Sequence, residues 1–388
     1  MIPSPPLRPP PSVLYAGGPI PAEVGGGEIV IDRHLRHLAS LGHSVSILHP
    51  AGSPPPCGGP WAAISVPARR PGWPPFRPGL PSLCRLRSAF IRRYLESRGL
   101  RPARRVLTIC PGAMSWLAAD LARAWRVPLI AIVHDWWGEQ VNTAASLTGD
   151  AVCRHADRVL AVSREMADAL EPLAPGRVEV LPPLPSRREA PFASWREQHA
   201  ERPVLVHVGA LHLYQVSFLA SVANALRQVG GSLLVICPAA NPVLAELRNR
   251  CPAVTHHDYF PTHREALTYV AAHATALIVM YPQAEGSLGR PPTGFPSRLV
   301  EFVQLGLPTL LAAPPANPVR TWAARRGWRA ALDPDDHKAL LVLVRLLVTP
   351  EGWSEFAADA LRAYEDEFNA ETIERQLVAE LARSPVQP

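Results

Sequence analysis

The alternation of short apolar strands with amphipathic helices is the feature that most constrains the fold of this chain. Near its start, a predicted strand at 13–16 leads through a glycine-rich loop at 17–27 into a helix at 28–41. Gly42 ends that helix, and the next strand follows at 45–48. A strand–helix–strand unit of this kind places its strands in parallel and covers the sheet with helices. The sequence therefore predicts an α/β fold built on a doubly wound parallel sheet.

The alternation continues and then begins a second time at Val204. In the first half, further strands are predicted at 106–110, 129–133 and 159–162. In the second half, strands are predicted at 204–208, 233–236, 254–256, 276–280 and 309–312, with helices at 218–229, 242–250, 264–272 and 297–305. Two Rossmann-like domains are the economical architecture for this pattern. Ligands bind at the carboxyl ends of the strands in such sheets, and with two halves we expect a site in the cleft between them.

Length and proline content set the domain boundaries. A chain of 388 residues is long enough for two domains, since one domain typically takes about 100–200 residues. Its 45 prolines follow no Gly-X-Y period, which excludes collagen. We predict an N-terminal domain at 1–185, which includes a disordered leader at 1–11 and an irregular Pro- and Gly-rich excursion at 50–81. A linker at 186–202 leads to a nucleotide-binding domain at 203–370. The last segment, at 371–388, is a helix that is able to cross back to the N-terminal domain.

The net charge and the cysteine spacing limit which cell compartment and which classes of binding partner we expect for this chain. The net charge of +6 is mild for this length, and Lys338 is the single lysine among 39 basic residues. No zinc-finger or RNP1 signal is present, so we expect no nucleic-acid partner. The six cysteines show no CxxC spacing, and the chain has no apolar run of the ~20 residues that a membrane span needs. These features, with a first segment too rich in proline for a signal peptide, predict a cytoplasmic protein.

The segment at 293–308 carries the strongest functional signal. It reads Thr-Gly-Phe-Pro-Ser-Arg-Leu-Val-Glu-Phe-Val-Gln-Leu-Gly-Leu-Pro, which predicts a loop that opens a helix. Pro296 suits the first helical position, and Gly306 suits the C-terminal cap. The free N–H groups at the start of such a helix favour an anion.

Three side chains of this segment could bind a nucleotide. Ser297 supplies a hydroxyl group and Arg298 a fixed positive charge, which together with backbone amides can hold a diphosphate. Glu301 lies one turn later on the same face and can accept hydrogen bonds from a ribose diol. The alternative interpretation is a capped core helix with an Arg–Glu pair on the surface.

At this segment the chain resembles a known family. The sequence at 294–302, followed by Gly-Leu-Pro at 306–308, is similar to the donor-binding segment of GT-B glycosyltransferases, especially glycosyltransferase family 4. Four other stretches resemble that family in order and spacing: the opening at 17–45, Val-His-Asp at 133–135, Ala-Asp-Arg-Val-Leu-Ala-Val-Ser at 156–163, and the tail from Ala-Leu-Asp-Pro at 331–334. The resemblance extends roughly from Val13 to Leu381.

The resemblance implies a retaining, hexosyltransferase-type enzyme that needs no metal or other cofactor. A nucleotide-diphosphate sugar would be the donor, and a glycan, a lipid-linked molecule or a small molecule the acceptor. The implied catalytic residues are His134 and Arg298, and Asp135 and Trp136 would lie on the acceptor side. The implied donor-binding residues are Gly25, Gly26, Gly27, Gly209, His212, Tyr214, Gly294, Phe295, Pro296, Ser297, Arg298 and Glu301.

The sequence departs from the family pattern at the diphosphate. Thr293 stands where the family often has a glutamate, although Glu285 lies farther upstream. The segment at 209–215 lacks the arginine and lysine that clamp the diphosphate in many members. We expect compensation from Arg298, His212 and Tyr214. The alternative is a catalytically silent protein of the same fold that binds a sugar nucleotide or a partner. A nicotinamide-dependent oxidoreductase is disfavoured because no Gly-x-Gly-x-x-Gly follows the first strand.

Two weaker signals concern membranes and metals. The stretch at 82–99 is basic and amphipathic. This pattern fits either a surface helix or a helix in peripheral contact with an anionic membrane. For a cytoplasmic protein, that contact would be with the inner face of the membrane. The residues His256, His257, Asp258 and His263 have no zinc-type spacing, so we predict no metal site there.

Overall fold

The computed structural model describes residues 12–22, 26–67, 81–110, 112–134, 144–188, 191–281 and 294–383, with the backbone alone at 81–87, 113 and 144–148. The leader predicted at 1–11 lies outside these ranges. The chain divides into two compact units, of which the first is Met1–Leu184 together with Ile373–Pro388 and the second is Pro185–Thr372. The segment at 186–202, predicted as a linker, therefore lies in the second unit.

The first unit is built on one parallel sheet. Its strands, within the described residues, are β1 (Val13–Tyr15), β2 (Val45–Pro50), β3 (Trp61–Val66), β4 (Arg105–Cys110), β5 (Leu129–Val133), β6 (Arg158–Ala161) and β7 (Val178–Val180). Its helices, up to β7, are α1 (Gly26–Ser40), α2 (Pro81–Ser97), α3 (Ala113–Trp125), α4 (Ala144–His155) and α5 (Arg164–Leu170). The strand order is β3-β2-β1-β4-β5-β6-β7, so the order reverses between β1 and β4.

Two sequence expectations for this unit were wrong. Residues 50–81 were expected to be irregular, but Trp61–Val66 forms β3 and pairs in parallel with all of β2. The tryptophan, isoleucine and valine of this stretch are good strand formers, and pairing with β2 satisfies their backbone groups. The first helix was expected at residue 28, but α1 begins at Gly26.

The second unit repeats the architecture. Its strands are β8 (Val204–Val208), β9 (Ser232–Ile236), β10 (Thr255–His257), β11 (Ala276–Met280), β12 (Thr309–Ala312) and β13 (Ala331–Leu332). Its helices are α6 (Gln198–Glu201), α7 (Leu213–Arg227), α8 (Pro242–Arg250), α9 (His263–His273), α10 (Ser297–Val303), α11 (Pro318–Arg326), α12 (His337–Leu347) and α13 (Pro350–Asp366). The strand order is β10-β9-β8-β11-β12-β13, all parallel, and it reverses between β8 and β11. The predicted α/β, doubly wound fold is confirmed in both units.

Buried strands and capped helices explain why these segments fold as they do. The strands β5 and β11 are buried along their whole length, as expected for parallel strands covered on both faces. Helix α12 starts where Asp336 accepts a hydrogen bond from the Ala339 backbone. The acidic run at 333–336 therefore starts a helix, because a capping carboxylate satisfies one of the free N–H groups of the first turn.

The last helix, α14 (Ala370–Ala382), contributes most of its length to the first unit. There the Gln376 side chain donates to the Val180 carbonyl oxygen, and the Glu374 carboxylate lies 3.5 Å from His37 Nδ1.

The basic stretch at 82–99 forms most of α2. Within its described side chains, Ile91 and Leu95 are buried, whereas 49% of Phe90 is exposed. The Arg92 guanidinium lies 3.4 Å from the Glu96 carboxylate on the outer side. The apolar side of α2 thus packs on the first unit. Among the described helices, none combines the length and the apolar character that crossing a bilayer requires.

Candidate functional site

The candidate site of the second unit lies at the carboxyl end of β8, beside the reversal in strand order. Gly209 directly follows β8 and has a φ of +111°, which is strained for any residue with a side chain. A Cβ atom at Gly209 would lie 2.2 Å from Nη2 and 2.3 Å from Cζ of Arg298. The Arg298 guanidinium therefore rests directly on the Gly209 backbone. The fold brings these two predicted residues together at the position where doubly wound sheets bind ligands.

Helix α10 positions Arg298; it begins at the first residue of the predicted range 297–305 and ends two residues earlier, at Val303. Pro296 is the N-cap, with φ of −72° and ψ of 105°, and Ser297 is the first helical residue. Pro296 suits the first helical position by its sequence, but its extended ψ makes it the N-cap, the last residue of the preceding loop. Ser297 and Arg298 are half-buried, and Gly306, with a φ of +66°, follows the end of the helix as predicted.

The residues just before α10 face the interior of the unit. Gly294, Phe295 and Pro296 are all buried. The Phe295 ring packs edge-to-face on Trp322, with a centroid distance of 5.5 Å, and lies 5.7 Å from the Phe368 ring. The Phe295 side chain therefore anchors the loop in the core.

The N-terminal end of α7 carries the other two predicted side chains. His212 is the N-cap, and its backbone N–H donates to Gln215 Oε1 at 2.9 Å. The rings of His212 and Tyr214 stack with a centroid distance of 5.5 Å and an interplanar angle of 8°. Since α7 begins shortly after Gly209, both rings lie close in sequence to the point where Arg298 rests.

Two residues that sequence reasoning missed lie within the electrostatic reach of Arg298. His207, in β8, is buried, and burial followed by the Arg298 charge lowers its pKa to about 3, because both disfavour the charged imidazolium. Tyr259, just after β10, is 46% exposed; burial raises its pKa, and the Arg298 charge opposes the rise. Both lie at or near the carboxyl ends of strands of the same parallel sheet, β8 and β10, which is the signal that could have identified them.

Glu301 is buried within a set of hydrogen-bond donors. Its Oε1 atom accepts from His263 Nε2 at 2.7 Å, from Gln304 Nε2 at 2.9 Å and from the Ser186 hydroxyl. The Ser186 backbone N–H lies 3.3 and 3.2 Å from the two carboxylate oxygens. The sequence identified Glu301 as a group that faces a ligand, but it missed Ser186 and considered His263 only for a metal site.

In the first unit, His134 lies at the carboxyl end of β5, as predicted. Its Nδ1 atom is 3.5 Å from the position that a Cβ of Gly27 would occupy, so it lies against the start of α1. Burial lowers the pKa of His134 to about 4, and its Nε2 atom is buried without a hydrogen-bond partner among the described residues. His34 of α1 is also buried; burial lowers its pKa to about 3, and the His134 charge adds to the effect. Both imidazoles are therefore neutral at physiological pH.

Several predicted residues lie outside the described residues: Gly25, Asp135, Trp136, Glu285 and Thr293. Gly26, in contrast, is described as the first residue of α1.

No metal-binding cluster is found where the chain is described. His256 Nε2 contacts the Cys237 carbonyl oxygen at 2.9 Å, and His257 Nδ1 contacts the Asp258 carbonyl oxygen at 2.6 Å. These backbone contacts account for the orientation of both rings.

Comparisons with known proteins identify the fold. Residues 24–184 match the family model Glycosyltransferase Family 4, and no curated protein matches the chain. Among solved structures, Anabaena HepE in complex with UDP and glucose has 14% identity and a TM-score of 0.68, with 96% of this chain and 100% of that chain covered. A UDP-forming α,α-trehalose-phosphate synthase from Burkholderia xenovorans has 12% identity, a TM-score of 0.65 and coverages of 97% and 100%. A trehalose-6-phosphate synthase studied for glycosyltransfer with retention has 11% identity, a TM-score of 0.62 and coverages of 97% and 100%.

These structural matches span both units of the chain. The chain has the GT-B fold, and its segment at 24–184 is similar to Glycosyltransferase Family 4.

Proposed function

We propose that this GT-B, family 4-like chain is a retaining glycosyltransferase that transfers a sugar from a nucleotide-diphosphate donor to a glycan, a lipid-linked molecule or a small molecule. The observation that carries the proposal is the Arg298 guanidinium, which rests on the backbone of Gly209 at the carboxyl end of β8. A cation held against the buried Gly209 backbone is suited to an anionic leaving group.

The diphosphate is the group that this arrangement suits best. Arg298 presents a planar set of N–H donors, and a missing Cβ at Gly209 allows close approach of the backbone. In the transfer reaction, negative charge grows on the diphosphate as the sugar leaves. Losing one donor to such a developing charge costs ~3–4 kcal/mol, a factor of ~10²–10³ in rate. Arg298 thus takes the role of the arginine and lysine that are absent from 209–215.

His134, in the first unit, is a neutral imidazole. With a pKa of about 4, His134 is uncharged at neutral pH, and its buried Nε2 atom has no partner among the described residues. A neutral imidazole can donate to or accept from a sugar hydroxyl without adding charge to the reacting centre. We assign it to orienting the reacting sugar or its acceptor.

The donor and the stereochemistry are proposed from the similar proteins. HepE was solved with UDP and glucose, and the Burkholderia enzyme is UDP-forming, which makes UDP-glucose the first donor to test. The study of glycosyltransfer with retention favours the same outcome here. We propose a reaction without a metal ion, because Arg298 supplies the positive charge.

A second candidate is a silent sugar-nucleotide-binding protein. The segment at 209–215 lacks the arginine and lysine, which favours this candidate. Arg298 without these two cations stabilises the leaving group less than it would together with them. Binding of UDP-glucose without any release of UDP would support this candidate.

A donor screen tests the proposal. We would measure thermal stabilisation by UDP-, GDP-, ADP- and dTDP-glucose in EDTA for the wild type, Arg298→Ala and a control, Arg227→Ala. Arg227 is exposed and is the last residue of α7. At a helical rise of about 1.5 Å per residue, it lies about 20 Å from the N-terminal end of that helix. We expect one donor to stabilise the wild type and Arg227→Ala but not Arg298→Ala. Stabilisation by none of the four, or equal stabilisation of Arg298→Ala, would contradict the proposal.

A further inference from the structure

The carboxylate of Glu301 is less accessible than the imidazole in front of it. The side chain of Glu301 is 8% exposed, whereas that of His263 is 31% exposed. Oε1 already accepts from His263, Ser186 and Gln304. A ligand hydroxyl that approaches this cluster therefore meets His263 before it meets Glu301.

We propose that His263, rather than Glu301 itself, presents the hydrogen-bond acceptor to the ribose of the nucleotide, and that Glu301 acts by orienting His263. The inference rests on the proposed function, because it assigns the ribose contact of that same donor site.

The proton positions follow from the donor and acceptor properties of the groups. His263 Nε2 lies 2.7 Å from the Glu301 carboxylate. An ionised carboxylate only accepts hydrogen bonds, so this contact requires a proton on Nε2, and a neutral imidazole of that form has a lone pair on Nδ1. The Nδ1 atom of His263 makes no hydrogen bond with any described residue, so it is available to a ligand hydroxyl. A carboxylate partner also makes the imidazole a stronger acceptor.

The local structure holds the imidazole in place. His263 is the first residue of α9, and the preceding Thr262 caps this helix by accepting from the Glu265 backbone at 3.2 Å. Gln304 Nε2 bridges the Ser186 hydroxyl and the Glu301 carboxylate, at 2.9 Å from each, which fixes the carboxylate from behind. Both ends of the His263–Glu301 contact are therefore anchored.

The position of His263 relative to Arg298 gives independent support for the ribose contact. Arg298 and Glu301 lie one turn apart on α10, and the Arg298 charge acts on Tyr259 in the loop between β10 and α9. His263 follows that loop directly and contacts Glu301. The segment from Tyr259 to His263 thus lies within the electrostatic reach of Arg298 at one end and contacts Glu301 at the other. A nucleoside diphosphate needs these two contacts on adjacent parts of one surface.

The test compares ribose recognition in two conservative variants. His263→Gln keeps an N–H that can reach Glu301 but has no acceptor at the position of Nδ1. His263→Asn instead places a carbonyl oxygen near that position. Affinities for UDP, 2′-deoxy-UDP, 3′-deoxy-UDP and inorganic pyrophosphate would be measured by titration calorimetry. The control is His273→Ala, at the other end of α9, where the ring stacks on Tyr269.

We expect the wild type and His273→Ala to prefer UDP over at least one deoxy analogue by about 10-fold to 100-fold. His263→Gln should lose that preference while binding pyrophosphate normally, and His263→Asn should retain part of it. Adding Glu301→Gln to His263→Gln should cause no further loss of UDP affinity, because Glu301 acts through His263.

Two results would overturn the inference, and only the second would also contradict the proposed function. If His263→Gln keeps the full ribose preference while Glu301→Gln abolishes it, Glu301 contacts the ribose directly, and the proposed function survives. If the wild type binds neither UDP nor pyrophosphate, the proposed function itself fails and takes the inference with it. Thermal unfolding of each variant identifies any that are misfolded.

Discussion

Replacing Gly209 by alanine tests the geometry on which the proposed diphosphate site depends. The new Cβ would lie 2.2 Å from Nη2 of Arg298 and 2.3 Å from its Cζ. Ordinary contacts between such atoms are about 3.5–4.0 Å, so the guanidinium must move by more than about 1 Å. A charge-assisted hydrogen bond is worth about 1.5–3 kcal/mol. Losing the hydrogen bond that Arg298 is proposed to donate to the diphosphate should therefore weaken UDP binding by about 10-fold to 150-fold.

The same substitution also strains the backbone, and a second glycine separates the two effects. Gly209 has a φ of +111°, and alanine in such a conformation costs about 1–3 kcal/mol of folding stability. Gly327, in the same unit, has a φ of +63°, and a Cβ there meets nothing within 4 Å. Gly327→Ala should therefore lose about 1–2 kcal/mol of stability while binding UDP like the wild type.

Titration calorimetry with UDP, paired with urea unfolding, measures both quantities for both variants. The reasoning is refuted if Gly209→Ala is folded and binds UDP within two-fold of the wild type, or if Gly327→Ala weakens UDP binding as much as Gly209→Ala does.

Three further predictions concern stability and are checked by urea unfolding. The pKa of His207 is lowered from 6.5 to about 3 in the folded protein, so the unfolded state binds more protons than the folded state between these two pH values. The free energy of unfolding therefore falls as the pH drops below the pKa of the unfolded imidazole. His207→Gln should remove about 2 kcal/mol of the decline between about pH 7 and pH 5, and an unchanged decline would contradict this. Asp359 is buried between Arg329 and Arg362; replacing it by alanine should cost about 2–3 kcal/mol, whereas a loss below about 0.5 kcal/mol, the effect of an ordinary surface substitution, would show that the pairs do not matter. Asn241 is the N-cap of α8, and Asn241→Ala should cost about 1 kcal/mol; no change would argue against the cap.

The sequence predicted most strands because buried parallel strands leave continuous apolar runs. Leu129–Val133 and Ala276–Met280 are such runs, and both were placed to the residue. Trp61–Val66 was missed because the prolines and glycines around it dominate the local pattern, whereas its pairing with β2 is a tertiary contact. Ala331–Leu332 has only two residues, too few to show any period.

The candidate site was predicted residue by residue but not as an arrangement. The motif around Arg298 and the turn at Gly209 were each recognisable, yet their contact depends on how β8 and α10 come together. Ser186 and His263 carry no motif of their own, and their importance comes from their proximity to Glu301. Positions of this kind are set by the fold, so a single sequence gives no signal for them.

Turnover of a sugar nucleotide in EDTA tests the central claim most directly. UDP release from UDP-glucose, or from whichever donor stabilises the protein, would be followed for the wild type, Arg298→Ala and Arg227→Ala, and the anomeric configuration of the product would be read by NMR. We expect metal-free release of the nucleoside diphosphate with retention, a drop of about 10²–10³ in rate for Arg298→Ala and no change for Arg227→Ala. Binding of the donor without any turnover, or equal rates in all three proteins, would contradict it.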